Sequence, residues 1–471
     1  VSFFGLNIAL RGLTAQRQAL DVTSHNISNA NTEGYTRQEA VLKATTDAGW
    51  GSIGRVGSGV EANEVRRVRD ALLDRQIRNQ MASLGSWETK DRYLEEIELV
   101  FNEPSDEGFN AQFSEFWGAW QDLSGSPDSY AARAGLAQTA SVLTDLLRRD
   151  YQQMSDIREQ VDTDIEAKVT ELNGWLEDIA ELNAQIANER SVGLDPNDLS
   201  DRRDLLLNEL SKALKVDYEE GTDGSVTVRL NSASGETLVQ GDDHYSLRRN
   251  GSMGAIQRSD GAGGWTDISP EDGELRGMLD TRDTVLNTSS NGSLANRLNE
   301  LAKGLIELVN GYHTVGYAQD GTTTGVNFFS GSDALDIAVN STIVSDPTTI
   351  AAASAGGEAG NGEQALAIAQ RLQTELGVPA SSPTTTVSGW YEAFIAKLGV
   401  DVQQAKTMFD NQQLLVDHLE TNRESYSGVS LDEEAVNLIR FERAYQASAR
   451  VMTAVDEMLE KLINGVGLVG R

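Results

Sequence analysis

The sequence predicts a mainly α, multidomain protein of the α+β type, with a small β-rich domain inserted into long helices. Three observations carry this. Long stretches poor in Gly and Pro repeat their apolar residues at helical spacing, above all over 129–189. From Val216 the period changes to two, and glycines punctuate at strand-length intervals. Both ends carry apolar stripes on alternating three- and four-residue steps, the pattern of helices that pack in coiled coils.

The elements follow in order. The N-terminal stripe runs Phe3, Leu6, Leu10, Leu13, Leu20 and Ile27, with Arg17 and Ser24 at intervening seam positions. That helix is expected to stop within Asn26-Ile27-Ser28-Asn29-Ala30-Asn31-Thr32-Glu33-Gly34-Tyr35, where Asn and Gly favour turns. Residues 36–68, punctuated by Gly49, Gly51, Gly54, Gly57 and Gly59, read as loop and short strands. Helical patterns cover 69–101, then 109–123 with Phe113, Phe116, Trp117 and Trp120, then 129–189. Asp195-Pro196-Asn197-Asp198 breaks the run, and a further helix extends to Leu214.

Val226-Thr227-Val228-Arg229-Leu230 alternates as a half-buried strand does, and the β-rich segment ends near Asp272. Helix is expected again over 273–315, followed by a mixed Gly/Thr/Ser-rich segment over 316–362 and helices over 363–376, 389–427 and 430–464. The C-terminal stripe is Phe441, Tyr445, Ser448, Met452, Val455, Leu459, Leu462, Val466 and Val469. A chain that goes out through helices, makes a β insertion and returns through helices brings its ends to one pole. The expected domains are a terminal α-helical coiled-coil domain from 1–60 and 428–471, an elongated helical bundle from 61–215 and 273–427, and a β-rich inserted outer domain over 216–272.

Charge narrows the function. The chain has 39 basic and 72 acidic residues, a net −33, yet residues 1–40 balance and residues 430–471 carry five basic against seven acidic groups. An acidic body between near-neutral ends suits a solvated surface with buried termini. Nucleic acid, which requires clustered Lys and Arg, is not an expected partner. No apolar run approaches the ~20 residues of a membrane span, so membrane insertion is not expected. Nor does the sequence open on a basic leader with an apolar stretch. It begins with Val1, so a short upstream segment is expected.

No catalytic, metal or cofactor-binding residues are expected. Cysteine is absent, so there is no disulfide, thiolate site or Cys nucleophile. His25, His244, His313 and His418 lack metal-ligand spacing, and His25 reads as a surface or packing residue. Gly54-Arg55-Val56-Gly57-Ser58-Gly59 opens no helix and is not a dinucleotide fingerprint. Asp223-Gly224, Asp260-Gly261 and Asp320-Gly321 lack the acidic spacing of calcium loops and read as turns. Trp117 and Trp120 read as helix core rather than a ligand platform. The expectation is a structural, self-assembling protein and not an enzyme. Its terminal helices would pack against copies of itself through Leu6, Leu10, Leu13, Leu20, Ile27, Phe441, Tyr445, Met452, Val455, Leu459, Leu462 and Val466.

The ends also resemble a known family. The N-terminal helix with Asn26 through Arg37 is similar to the signature of bacterial flagellar rod, hook and hook-associated proteins, the axial group. Ser427-Gly428-Val429-Ser430-Leu431-Asp432-Glu433-Glu434-Ala435, leading into Asn437-Leu438-Ile439-Arg440-Phe441-Glu442-Arg443-Ala444-Tyr445-Gln446-Ala447, resembles the same group. Its Asp432-Glu433-Glu434 segment is most similar to the branch at the hook–filament junction. The family-motif turn residues carried over are Asn26, Asn29, Asn31, Gly34 and Tyr35. Glu33 stands where many members carry Pro, which leaves that turn less stiff.

The resemblance implies a structural subunit joining hook to filament, secreted without a cleaved signal through flagellar type III export to the extracellular flagellum. The implied partners are the hook protein, the second hook–filament junction protein, and an export chaperone on the C-terminal helix. Two alternatives remain at this point: another axial protein of hook or rod, and, from a different class, a secreted glycan-binding or hydrolytic protein with helical arms.

Overall fold

A computed structural model describes residues 3–45, 57–251, 254–288, 290, 292–374 and 386–465. The chain forms two compact units, each assembled from separated segments. The first comprises Val1–Leu84, Thr170–Gly273 and Gln412–Arg471; the second comprises Gly85–Val169 and Glu274–Asn411.

In the first unit, α1 (Phe3–Asn29) packs along α11 (Leu431–Gly465) and against an antiparallel hairpin of β1 (Gln38–Thr45) and β2 (Gly59–Arg67). The hairpin register shifts at Val41/Leu42, a bulge that bends the strand. This unit also holds the start of α2 (Ala71–Phe101), the end of α4 (Tyr130–Ser191), α5 (Asn197–Ala213) and the end of α10 (Val387–Ser427).

The β insertion divides into two small antiparallel sheets. One has the order β3 (Val216–Glu220), β4 (Val226–Leu230), β5 (Thr237–Gln240), β6 (Asp243–His244). The other joins β7 (Leu247–Arg249), β8 (Ile256–Ser259) and β9 (Trp265–Ile268). Val226, Val228 and Leu230 are buried while Arg229 is exposed, as the alternation requires. Two asparagines of α4 dock the sheets. Asn183 Nδ2 donates to Val226 O at 2.8 Å and its Oδ1 accepts from Val226 N at 2.9 Å. Ten residues earlier, Asn173 makes the same reciprocal pair with Leu247, at 2.8 and 2.7 Å. Each satisfies both backbone groups of one strand residue from outside the sheet.

The second unit has an aromatic core. Trp120 and Phe116 of α3 (Phe109–Gly125) are fully buried and meet Phe328, Phe329 and His313. Trp117 donates from Nε1 to Ala369 O of α9 (Glu363–Thr374) at 3.0 Å, so both tryptophans serve the helix core. His313 Nε2 accepts from Ala351 N at 2.8 Å, which leaves Nδ1–H to donate to Val326 O at 2.7 Å. Burial lowers its pKa to about 4, so the ring is a neutral packing residue.

The helix expected over 273–315 is interrupted. It forms α6 (Glu274–Asp280), a π-helical turn (Thr281–Val285) and α7 (Leu294–His313). Asn287, Ser290 and Gly292 are turn formers. Gly292 sits at φ +86°, and Ser293 restarts the helix by accepting from Asn296 N at 3.2 Å. The mixed segment yields β10 (Phe329–Ser330), β11 (Ala338–Val339) and α8 (Ser341–Ser345). The three Asp-Gly pairs form turns: Gly224, Gly261 and Gly321 have φ of +82°, +78° and +71°, and each Asp side chain accepts from backbone two residues on.

Candidate functional site

The paired termini place the sequence-predicted residues on two different faces. In α1 the buried residues are Ala9, Ala15, Ala19, Thr23 and Asn26. Gly5 and Gly12 line the same seam: a Cβ on Gly12 would stand 3.2 Å from Ser448 Oγ, and one on Gly5 would stand 3.7 Å from Val455 Cγ2. Small side chains let the two helix backbones approach closely. At 100° per residue, the leucine stripe is rotated from this seam by about a third of a turn. Leu6, Leu13, Leu20 and Ile27 are accordingly half-buried, and Leu10 is 49% exposed.

On α11 the stripe itself faces α1. Val455 is buried, and Phe441, Tyr445, Met452 and Leu459 are half-buried. Leu462 is exposed, as are Val451, Met458 and Ile463 beside it. Val466 lies outside the described residues. The seam is therefore a large stripe on α11 set into a Gly/Ala groove on α1, and the α1 leucines flank it. The groove was legible as small residues at Gly5, Ala9, Gly12 and Ala19, spaced 4, 3 and 7 apart.

Below the seam, the turn motif closes a polar clasp. Asn26, buried on the last turn of α1, uses its whole amide. Its Nδ2 donates to Gln38 O at 2.8 Å and to Glu434 Oε2 at 3.2 Å, while Oδ1 accepts from Gln38 N at 2.9 Å and Tyr35 OH at 2.8 Å. The Tyr35 proton goes to Asn26, so His25 donates from Nδ1 to the phenol oxygen at 3.0 Å. Burial, with Asp198, Asp201 and Glu434 nearby, raises the Tyr35 pKa well above its ordinary value and keeps it a donor. Glu434 is only 2% exposed and is met by Arg37 Nε at 3.1 Å, while Arg37 N donates to Ser427 O at 3.0 Å. Residues 26–38 are thus tied to the start of α11.

The clasp continues into α5. Gln38 Nε2 donates to Asp198 at 2.8 Å and Thr36 N to Asp201 at 3.0 Å. Asp204, one turn further, accepts from Arg67 at 2.6 Å, from Arg78 at 3.0 Å and from Arg69. Burial alone would raise the Asp204 carboxyl; these three guanidinium groups instead hold it well below the carboxylate range. Gly34 turns the chain at φ +76° with its α-carbon face against Leu205, a conformation that favours glycine. Asn29 donates back to His25 O and accepts from Thr32; Asn31 is exposed. Sequence reasoning named Arg37 and Glu434 only within the family motifs, and missed Arg67, Arg69, Arg78 and Asp204. The three-residue spacing of Asp198, Asp201 and Asp204, which sets them on one helix face, was the available signal.

The clasp ties the turn motif to the start of α11 and leaves apolar faces outside. Known proteins agree with such a part. Residues 94–329 match the family model described as "Flagellar hook-associated protein FlgK helical domain". Residues 6–36 match "Flagella basal body rod protein", and residues 422–465 match "Flagellar basal body rod FlgEFG protein C-terminal". "Flagellar hook-associated protein 1" of Bacillus subtilis (strain 168) is 31% identical over 507 residues, covering 100% of this chain and 99% of that protein. The protein of the same name from Salmonella typhimurium is 27% identical over 98% of this chain and 99% of its own length. In fold, the chain is similar to a structure titled as the flagellar hook junction protein FlgK from Burkholderia pseudomallei, with a TM-score of 0.65 and 16% identity over 75% of this chain and 100% of that one. With its helical middle, its two terminal motifs and a relative that it matches from end to end, this chain belongs to the flagellar hook-associated protein 1 (FlgK) family.

Proposed function

We infer that the chain is a structural subunit of the bacterial flagellum that joins hook to filament and self-assembles through its terminal helices. One observation carries the assembly mode: α1 buries its Gly/Ala groove on α11 and leaves Leu6, Leu10, Leu13, Leu20 and Ile27 half-covered or exposed. Those leucines, with Leu462 and its exposed neighbours on α11, form the faces offered to other copies. Burial of apolar area between subunits then supplies stability that a single narrow seam lacks.

The terminal coiled-coil domain, residues 1–60 and 428–471, packs between copies, while the helical bundle and the β insertion over 216–272 form the outer body. Its partners are the hook protein on one side and the second junction protein on the other. An export chaperone covers the C-terminal helix during type III export to the cell exterior. The chain works without enzymatic activity. End-to-end similarity to hook-associated proteins favours the junction over a rod or hook position.

The test is deletion of the coding region in a motile host. Normal hooks with flagellin secreted unpolymerised are the expected result; normal filaments or missing hooks overturn the assignment.

A further inference from the structure

Arginines gather at one place in this acidic chain. A cleft of about 430 Å³ in the first unit is lined by six of them, Arg66, Arg67, Arg69, Arg75, Arg190 and Arg203, against four carboxylates. Four of the six are neutralised: Arg67 and Arg69 share Asp204, Arg190 meets Glu220 at 3.2 Å, and Arg66 meets Glu39 at 3.4 Å. Arg203 and Arg75 make no ion pair among the described residues.

Arg203 is the unusual one. It is 1% exposed, donates from Nη1 to Asn183 Oδ1 at 2.9 Å and Gly224 O at 2.6 Å, and its Nε has no partner. Two neutral oxygens only partly offset the cost of burying a cation, and burial lowers its pKa to about 10. A second cleft of about 280 Å³ shares Arg75 and Tyr218 as lining, and there buried Arg78 also leaves Nη1 without a partner. Arg75 is exposed and lies 5.9 Å from the Tyr218 ring centroid. Arg203 and Arg75, one buried and one exposed, therefore line the same polar cavity without a direct ion pair among the described residues; Asp204 and Glu220 act on Arg203 only through space.

We propose that this cleft binds an oxyanion, phosphate or carboxylate, between Arg203 on its floor and Arg75 at its mouth. Planar guanidinium groups suit either anion, because each accepts paired charge-assisted hydrogen bonds. The source is a free phosphate or a carboxylate side chain of an adjoining chain. The site is separate from the helix faces assigned to assembly, so either reading can fail without the other.

Isothermal titration calorimetry on the full chain tests this, with inorganic phosphate and succinate titrated separately at constant ionic strength and sodium chloride as reference. The expected result is saturable one-to-one binding of at least one probe, with Kd of about 1 mM or tighter. Selective binding of phosphate supports a free phosphate as the occupant; binding of succinate, alone or with phosphate, supports a carboxylate. Arg75→Gln, at an exposed position, should weaken binding about tenfold, or about 1.4 kcal/mol, with an unchanged melting temperature. Arg203→Gln should abolish it. Arg248→Gln, whose side chain stacks on Trp265 away from the cleft, should leave it unchanged. No saturable heat for either probe overturns the proposal, as does binding that Arg75→Gln does not weaken.

Discussion

Asn26 shows how much one side chain can organise. Removing its amide leaves the Gln38 backbone groups and one oxygen of Glu434 buried without a partner. Asn26→Ala should therefore cost about 3 kcal/mol, whereas Tyr35→Phe, which loses one hydroxyl, should cost about 1 kcal/mol. Urea unfolding followed by circular dichroism would rank the two, and equal costs would count against Asn26 as the hub. The sequence marked both residues as turn formers. It did not reveal their partners, because Glu434 is 408 positions away and hydrogen-bonding contacts at that separation exist only after folding.

Asp150 sets a pH dependence in the second unit. It is 3% exposed, and burial raises its pKa to about 7 even though Arg149 opposes the shift. Unfolded, the carboxyl titrates near about 3.9. The folded state holds the proton more tightly, so this group's contribution is complete below that value and is lost as pH rises to about 7. His313 acts in the opposite sense, since its lowered pKa removes stability as pH falls from 6.5 towards about 4. Asp150→Asn isolates the first term: its melting temperature should exceed the wild-type value at pH 8, and the gap should close towards pH 4. Parallel profiles for the two proteins would contradict this.

At the scale of elements, α1 has one groove and one ridge, and substitutions should separate them. Gly12→Leu places a side chain where Ser448 stands and should destabilise the α1–α11 pair by about 1–3 kcal/mol. Leu10→Asp, on the exposed ridge, should leave the monomer's stability within about 0.5 kcal/mol of wild type while abolishing incorporation at the hook–filament junction. Electron microscopy of complemented deletion strains reads the second outcome, and normal incorporation would sink the ridge assignment.

The β insertion has its own test. Asn183→Leu removes the bonds to Val226, Gly241 and Arg203 and should speed hydrogen exchange in β4 and β5. The strands themselves were readable from alternation. Their docking on α4 was not, since one buried Asn in a helix of 62 residues resembles any other polar helical position. The interrupted helix over 274–313 was misread for a related reason: its apolar period survives the break, while local Asn, Ser and Gly hydrogen bonding decides the backbone.

For the whole molecule, charge and family point the same way. Of the net −33, −31 is carried by the body, and the termini are nearly balanced. Copies brought together by their ends must overcome repulsion between bodies, which salt screens. Self-association of the purified chain should therefore strengthen as sodium chloride is raised, measured by sedimentation velocity. Weakening with salt would indicate that ion pairs, and not apolar ridges, hold the copies together.

The sequence alone determined the helical class, the strand alternation, both terminal stripes and the axial-family likeness, since periodicity and short motifs are local properties written residue by residue. Tertiary structure decided which face of α1 the monomer keeps for itself. That choice depends on how closely two backbones can approach, and Gly5 and Gly12 admit α11 where the larger leucines do not. Tertiary structure also decided that the turn motif closes on Glu434 and the Asp198, Asp201 and Asp204 face, because burial fixes which charges must find each other.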